Sequence, residues 1–130
     1  MKTLSISEVA QRVNIKPSAI RYYEQIGLLL PPERVGGKRR YDETVVRKLA
    51  VIQHARRIGF RLDEIRQLFF GFRDGMPPSE RWQRLSQRKL EELEVLRNRI
   101  HTMQELLRKI QNCQCNALDE CGERLLAKKR

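Results

Sequence analysis

Cys113, Cys115 and Cys121 are the residues of this chain with the most chemistry to offer. They fall within nine residues, after 112 residues that contain no cysteine. A disulfide framework spreads even numbers of cysteines through a chain, so an odd, clustered set points to metal or redox chemistry instead. Thiolates bind soft or borderline ions, and three of them make a trigonal site or most of a tetrahedral one. A fourth ligand of a metal site is expected from water or a partner subunit, and for a cluster the candidates are Asp119, Glu120 or an external thiol. The two histidines, His54 and His101, stand far apart with no motif around either, and paired acid–base groups are missing. An enzyme is therefore not expected; a binding centre is.

Something must carry and position those thiols. Directly upstream, Leu93, Leu96, Ile100, Met103, Leu107 and Ile110 are spaced 3, 4, 3, 4 and 3, a heptad seam. Trp82, Ser86 and Lys89 continue the phase backwards, so the seam weakens toward its start. The spacing predicts a helix from Ser79 to Asn112, about 50 Å long at ~1.5 Å per residue. An apolar stripe of that length needs a cover, and the expectation is a second copy of the chain.

Net charge directs attention to the other end of the molecule. The 130-residue chain carries +11, from 27 Lys and Arg against 16 Asp and Glu. Residues 1–76 hold fifteen basic and eight acidic side chains, whereas residues 77–130 hold twelve and eight. Such an excess favours association with polyanions. In that basic part, Ser5-Ile6-Ser7-Glu8 has the form of a capping box, followed by Val9, Ala10 and Val13 on one helical face. Asn14-Ile15-Lys16 is turn-like, and a second helix is predicted from Pro17 to Ile26, with Gly27 as its stop. Two short helices joined by about three residues make a helix-turn-helix.

Residues 28–41 contain two prolines and two glycines and cannot be helical. Apolar arms around Gly36-Gly37 predict a hairpin wing whose tip carries Arg34, Lys38, Arg39 and Arg40. Further helices are predicted from Asp42 to Ile58 and from Leu62 to Phe70, then a linker over residues 71–78. The resulting organisation is mainly α. A winged helix-turn-helix domain spans residues 1–75, a linker and coiled-coil helix residues 76–112, and an effector loop with a basic tail residues 113–130. That tail is formed by Arg124, Lys128, Lys129 and Arg130. No stretch approaches the ~20 apolar residues of a membrane span, and no leader-like start is present, so a cytoplasmic, nucleoid-associated protein is expected.

The strings Ile6-Ser7-Glu8-Val9-Ala10, Ala19-Ile20-Arg21-Tyr22-Tyr23-Glu24-Gln25-Ile26-Gly27-Leu28 and Arg40-Tyr41-Asp42 resemble the MerR family of transcriptional regulators. So do Ile58-Gly59-Phe60 and Leu62-Asp63-Glu64-Ile65. The resemblance implies a homodimer joined by an antiparallel coiled coil, bound to a palindromic operator in double-stranded promoter DNA. It further implies that effector binding distorts the DNA, so that RNA polymerase finds its elements realigned. Carried over by position, the second helix is the recognition helix, with Lys16 and Ser18 at its entrance and Arg21 reaching a base edge or phosphate. At least one of Tyr22 and Tyr23 contacts the backbone, the other being a core candidate. In the wing, Arg39 and Tyr41 match backbone-contacting positions, while Arg34 and Lys38 supply further cations. Specificity is then partly indirect.

Some relatives carry a large effector domain after the coiled coil, against about twenty residues here, so a small effector is expected. Two branches of the family resemble this C-terminus. Metal sensors of the copper, zinc and mercury type place cysteines in a loop after the coiled coil. Ser79, at the start of the dimerisation helix, resembles their monovalent-ion branch, although the C-x-C-x5-C spacing here departs from that branch's pair. The SoxR-like redox branch holds a [2Fe–2S] cluster with C-x2-C-x-C-x5-C; Ile110 stands where its first cysteine would be. The order of expectation is a thiolate-bound metal ion, then the cluster, then direct thiol oxidation.

Overall fold

The computed structural model of the chain describes residues 3–128. The elements run α1 (Ile6–Val13), α2 (Pro17–Gln25), β1 (Glu33–Val35), β2 (Lys38–Arg40), α3 (Glu43–Arg57), α4 (Leu62–Phe70), α5 (Pro78–Gln111) and α6 (Leu118–Ala127). They divide between two compact units, residues 1–87 and 88–130.

In the first unit, local chemistry sets the boundaries. Ser5 accepts a hydrogen bond from the Glu8 N–H, and Glu8 accepts one from the Ser5 N–H, so both orphan donors of α1 are satisfied. Asn14 ends α1 in the left-handed conformation and Gly27 follows α2 with φ 81°. Asp42 is the N-cap of α3 and takes hydrogen bonds from the N–H and hydroxyl of Thr44. Helix boundaries lie within a residue of those expected; Asp42, Ile26 and Ile58 are caps rather than helical residues.

The wing forms as the Gly36-Gly37 pair predicts. Strands β1 and β2 are antiparallel, with Glu33 opposite Arg40, Arg34 opposite Arg39 and Val35 opposite Lys38. Both glycines have positive φ, 60° and 80°, which a two-residue turn of this hand requires. The strands are only three residues long, and Leu28 and Leu29, expected in the hairpin arm, are buried in the core. A bridge between Leu4 and Tyr41 ties the wing to the start of the chain.

The core of this unit joins its helices, with Leu4, Leu28, Leu29 and Tyr41 beside them. Val9, Ile20, Leu49, Ile52 and Ile65 are fully buried, each worth roughly 1.5–3 kcal/mol relative to exposure. Leu85 and Met76 are buried as well, and the Trp82 ring lies 6.0 Å from that of Phe60. The first turns of α5 thus belong to the core of this unit as much as to the long helix. Arg81 fastens them: its guanidinium donates to the carbonyls of Leu68, Phe69 and Met76 at 3.0–3.2 Å.

The second unit holds the rest of α5, the cysteine loop and α6. The heptad seam is found as predicted, and in the single chain its side chains Leu93, Leu96, Ile100, Met103, Leu107 and Ile110 are all exposed. Beyond it the structure adds an element where a loop and tail were expected: α6, which carries Cys121. Lys129 and Arg130, the end of the anticipated basic tail, lie outside the described residues. No helix among the described residues is long and apolar enough to cross a membrane.

Candidate nucleic-acid interface and thiol centre

Helix α2 buries Ile20 and Tyr23 and turns its opposite face outward. Ser18, Arg21, Tyr22 and Gln25 are exposed there, at relative positions i, i+3, i+4 and i+7. Lys16, the N-cap residue, is also exposed. Together these side chains offer cations, a hydroxyl, a phenol and an amide on one ridge, a set suited to phosphates and base edges. Gln25 was not among the residues anticipated from the sequence, although its period-3.6 relation to Ser18 and Arg21 is readable there.

The paired tyrosines separate cleanly. Tyr22 is half exposed, whereas Tyr23 is 6% exposed and its hydroxyl faces the Arg56 guanidinium at 3.5 Å. Adjacent helical residues point about 100° apart, so with Tyr23 in the core Tyr22 must look outward. Tyr23 is therefore the core member of the pair and Tyr22 the accessible one.

The wing residues likewise divide between exposed and buried positions. Arg34 and Lys38 are exposed at its tip, with Arg34 also donating to the Gly37 carbonyl at 3.2 Å. Arg40 turns back and donates to the hydroxyl and the carbonyl of Thr3, both at 2.9 Å. Tyr41, expected at the DNA backbone, is 3% exposed, and its hydroxyl donates to Glu24. Burial first, then the hydrogen bond to that carboxylate, holds the Tyr41 phenol above its ordinary pKa. Its side chain packs with the core of this unit. Arg39 is half-buried, with its Nε 3.2 Å from Glu24 Oε2. Glu24 is the second residue missed from sequence, where a lone carboxylate in a helix looks like a solvated charge.

The thiol centre is assembled by the junction of two helices. Helix α5 ends at Gln111, and the Cys113 N–H still bonds the Ile110 carbonyl at 3.0 Å, so Cys113 sits on the last turn. Helix α6 brings Cys121 back, in its own first turns. The three sulfurs lie within 4.8 Å of one another, with Cys113 Sγ and Cys121 Sγ 3.6 Å apart. Four thiolates arranged tetrahedrally at ~2.3 Å from a zinc-sized ion are about 3.8 Å apart, and three in a trigonal plane about 4.0 Å. The donor set and its spacing therefore fit one thiophilic ion.

Electrostatics reinforce the grouping. The Cys115 N–H, 3.5 Å from Cys113 Sγ, the neighbouring thiols and Arg124 hold the Cys113 thiol below its ordinary pKa. Hydrogen bonding to Cys113 and then to Cys121 pushes the Cys115 thiol up to about 12. The triad thus shares its protons, with the thiolate favoured at Cys113. Glu120 is drawn elsewhere: its carboxylate accepts from the Asn116 N–H at 3.2 Å and from Arg124 at 3.0 Å. Neither Glu120 nor Asp119 falls in the sulfur cluster, and Ile110 provides no fourth donor.

Comparison with known proteins covers most of the chain. Residues 4–70 match the family model described as MerR HTH family regulatory protein, and residues 46–113 match one described as MerR, DNA binding. An uncharacterised HTH-type transcriptional regulator of Pseudomonas aeruginosa is 35% identical over 126 residues, covering 91% of each chain. A probable heavy metal-dependent transcriptional regulator of Haemophilus influenzae is 32% identical over 123 residues, covering 91% of this chain and 94% of that one. Among solved structures, a transcription regulator of Ralstonia metallidurans in complex with lead(II) superposes with a TM-score of 0.74. It shares 26% identity and covers 88% of this chain and 89% of its own.

Proposed function

This chain belongs to the MerR family of DNA-binding transcriptional regulators, and on that premise we propose that it is a homodimeric, cytoplasmic metal sensor whose three C-terminal thiols capture a single thiophilic ion. The observation that carries the reading is the convergence of Cys113, Cys115 and Cys121 to ligand spacing at the α5–α6 junction. A relative named as a probable heavy metal-dependent regulator and a structural neighbour in complex with lead(II) support it.

Under this reading, Lys16, Ser18, Arg21 and Tyr22 of the recognition helix meet the major groove, with Gln25 on the same ridge. Arg34, Lys38 and Arg39 of the wing hold flanking phosphates. The exposed seam of α5 pairs with a second copy, which gives two half-site readers for a palindromic operator. Cys113, Cys115 and Cys121 would hold the ion as thiolates, and a soft cation would supply positive charge in place of the protons they give up. Cys121 is then tied to Cys113 and Cys115, so the start of α6 is locked to the end of α5. The dimer uses that change to distort promoter DNA for RNA polymerase.

The zinc, copper and mercury types of ion all suit a thiolate triad. A [2Fe–2S] cluster suits it less, since it takes four protein ligands and Ile110 cannot be one. The test is an anaerobic spectrum of freshly purified protein with metal and acid-labile sulfide analysis, followed by titration with each ion. One ion per chain, bound through all three cysteines and required for promoter activation, is the expected result. About two irons and two sulfides per chain would overturn it.

A further inference from the structure

We propose that Glu24 is a positioning residue for DNA recognition, which holds the wing to the recognition helix and presents Arg39 to the phosphate backbone without touching DNA itself.

A carboxylate on a DNA-binding helix is at first sight a liability, since phosphates repel it. Glu24 is not on the outward ridge of α2, however; its side chain is 10% exposed. One carboxylate oxygen accepts from Arg39 Nε at 3.2 Å, and the other accepts from the Tyr41 hydroxyl. Both donors lie in or just after β2, fifteen and seventeen residues further along the chain. One side chain of α2 thus grips the wing at two points.

The wing needs such a grip. A two-stranded hairpin is marginal by itself, and this one has three residues in each strand. Its other attachments, the Leu4–Tyr41 bridge and the Arg40 bonds to Thr3, fasten it to the start of the chain. The Glu24 bonds fasten it to the recognition helix. They also settle how Arg39 points. Glu24 engages Nε, and the terminal amino groups of a guanidinium remain for a phosphate in their fixed fork geometry. Neutralised by Arg39, the carboxylate adds little repulsion of its own. A wing set at a fixed distance from α2 meets a fixed set of phosphates, so helix and wing bind as one body.

This inference rests on the reading in which Arg39 contacts a phosphate, and the experiment separates the two. Operator affinity is measured against salt for the full-length protein and for Glu24→Gln, Tyr41→Phe, Arg39→Ala and the Glu24→Gln/Arg39→Ala pair, with thermal unfolding as a check on folding. Ethylation interference maps the phosphates required. Arg39→Ala is expected to weaken binding and to lower the slope of log affinity against log salt by about one. Glu24→Gln, which keeps the shape of the side chain and removes its charge, is expected to weaken binding roughly tenfold. It should abolish interference at the wing phosphates while sparing those under α2, and Arg39→Ala should add little in that background. Tyr41→Phe, which leaves the ion pair intact, should weaken binding by less and supplies the answer if Glu24→Gln does not fold. Unchanged or tighter binding by Glu24→Gln or by Tyr41→Phe, beside a defective Arg39→Ala, overturns the role of Glu24 alone. A silent Arg39→Ala overturns the wing contact and, with it, this role.

Discussion

The sulfurs of Cys113 and Cys121 lie 3.6 Å apart although the residues are eight positions apart in the chain. The approach is made by backbone, since Cys113 is on the last turn of α5 and Cys121 in the first turns of α6. Closing the triad therefore means fixing one helix against another. Replacing Cys121 with serine is expected to lower ion affinity by more than ~100-fold, beyond the 10- to 100-fold that an outer-shell partner costs. Operator binding should be retained and induction lost. Ion titration, gel shift and run-off transcription on one preparation check all three, and lost operator binding would remove Cys121 from the sensor.

Ion uptake should be proton-linked. With the Cys115 thiol pushed up to about 12 by its bonds to Cys113 and Cys121, it keeps its proton at neutral pH. A third metal–sulfur bond must expel that proton, so apparent affinity rises as pH is raised from about 6 to 8. Proton release on ion addition, followed with an indicator in weakly buffered solution, should fall in Cys115→Ser.

Acid should loosen α3. Hydrogen bonds from the hydroxyl and then the N–H of Thr44 hold the Asp42 carboxyl below its ordinary value of 3.8. A carboxyl depressed in the folded state stabilises the fold above its unfolded pKa, and that contribution disappears as pH falls through the folded one. Thermal midpoints of the wild type and Asp42→Ala should therefore differ at pH 5 and converge well below pH 3.8. A gap that persists in strong acid would show that the cap works without its charge.

The two adjacent tyrosines should behave oppositely. Tyr23→Ala empties a core position and is expected to cost about 3 kcal/mol or more in stability. Tyr22→Phe removes an outward hydroxyl and should weaken operator binding several-fold with the unfolding midpoint unchanged. Chemical unfolding and gel shift on both variants decide it.

Charge in the seam should abolish pairing. Ile100 is exposed in the single chain, near the middle of the heptad stripe. Ile100→Lys is expected to give a folded monomer by sedimentation, with operator affinity reduced to that of one half-site. A dimer that persists would place the interface elsewhere.

Much of this architecture follows from short-range rules that a sequence displays. The Ser5–Glu8 capping box, the Gly36-Gly37 turn and the 3,4 spacing from Leu93 to Ile110 each depend on neighbours within a turn or two. Helix α6 was less legible. It is ten residues long, carries Gly122 at a cost of about 1 kcal/mol relative to Ala, and has no side-chain cap. Its pattern sits close to that of a polar tail.

What the sequence by itself determined, then, is the order of elements as far as α5, the family and the clustering of the three cysteines, because residue type and local period suffice for these. Only the tertiary structure decided that Tyr22 faces outward while Tyr23 and Tyr41 are buried, that Arg40 is engaged by Thr3, and that Glu24 holds Arg39. These outcomes depend on contacts between residues well separated along the chain. Which of two neighbouring side chains enters the core is a matter of how α2, the wing and α3 close upon one another, and no local spacing records that.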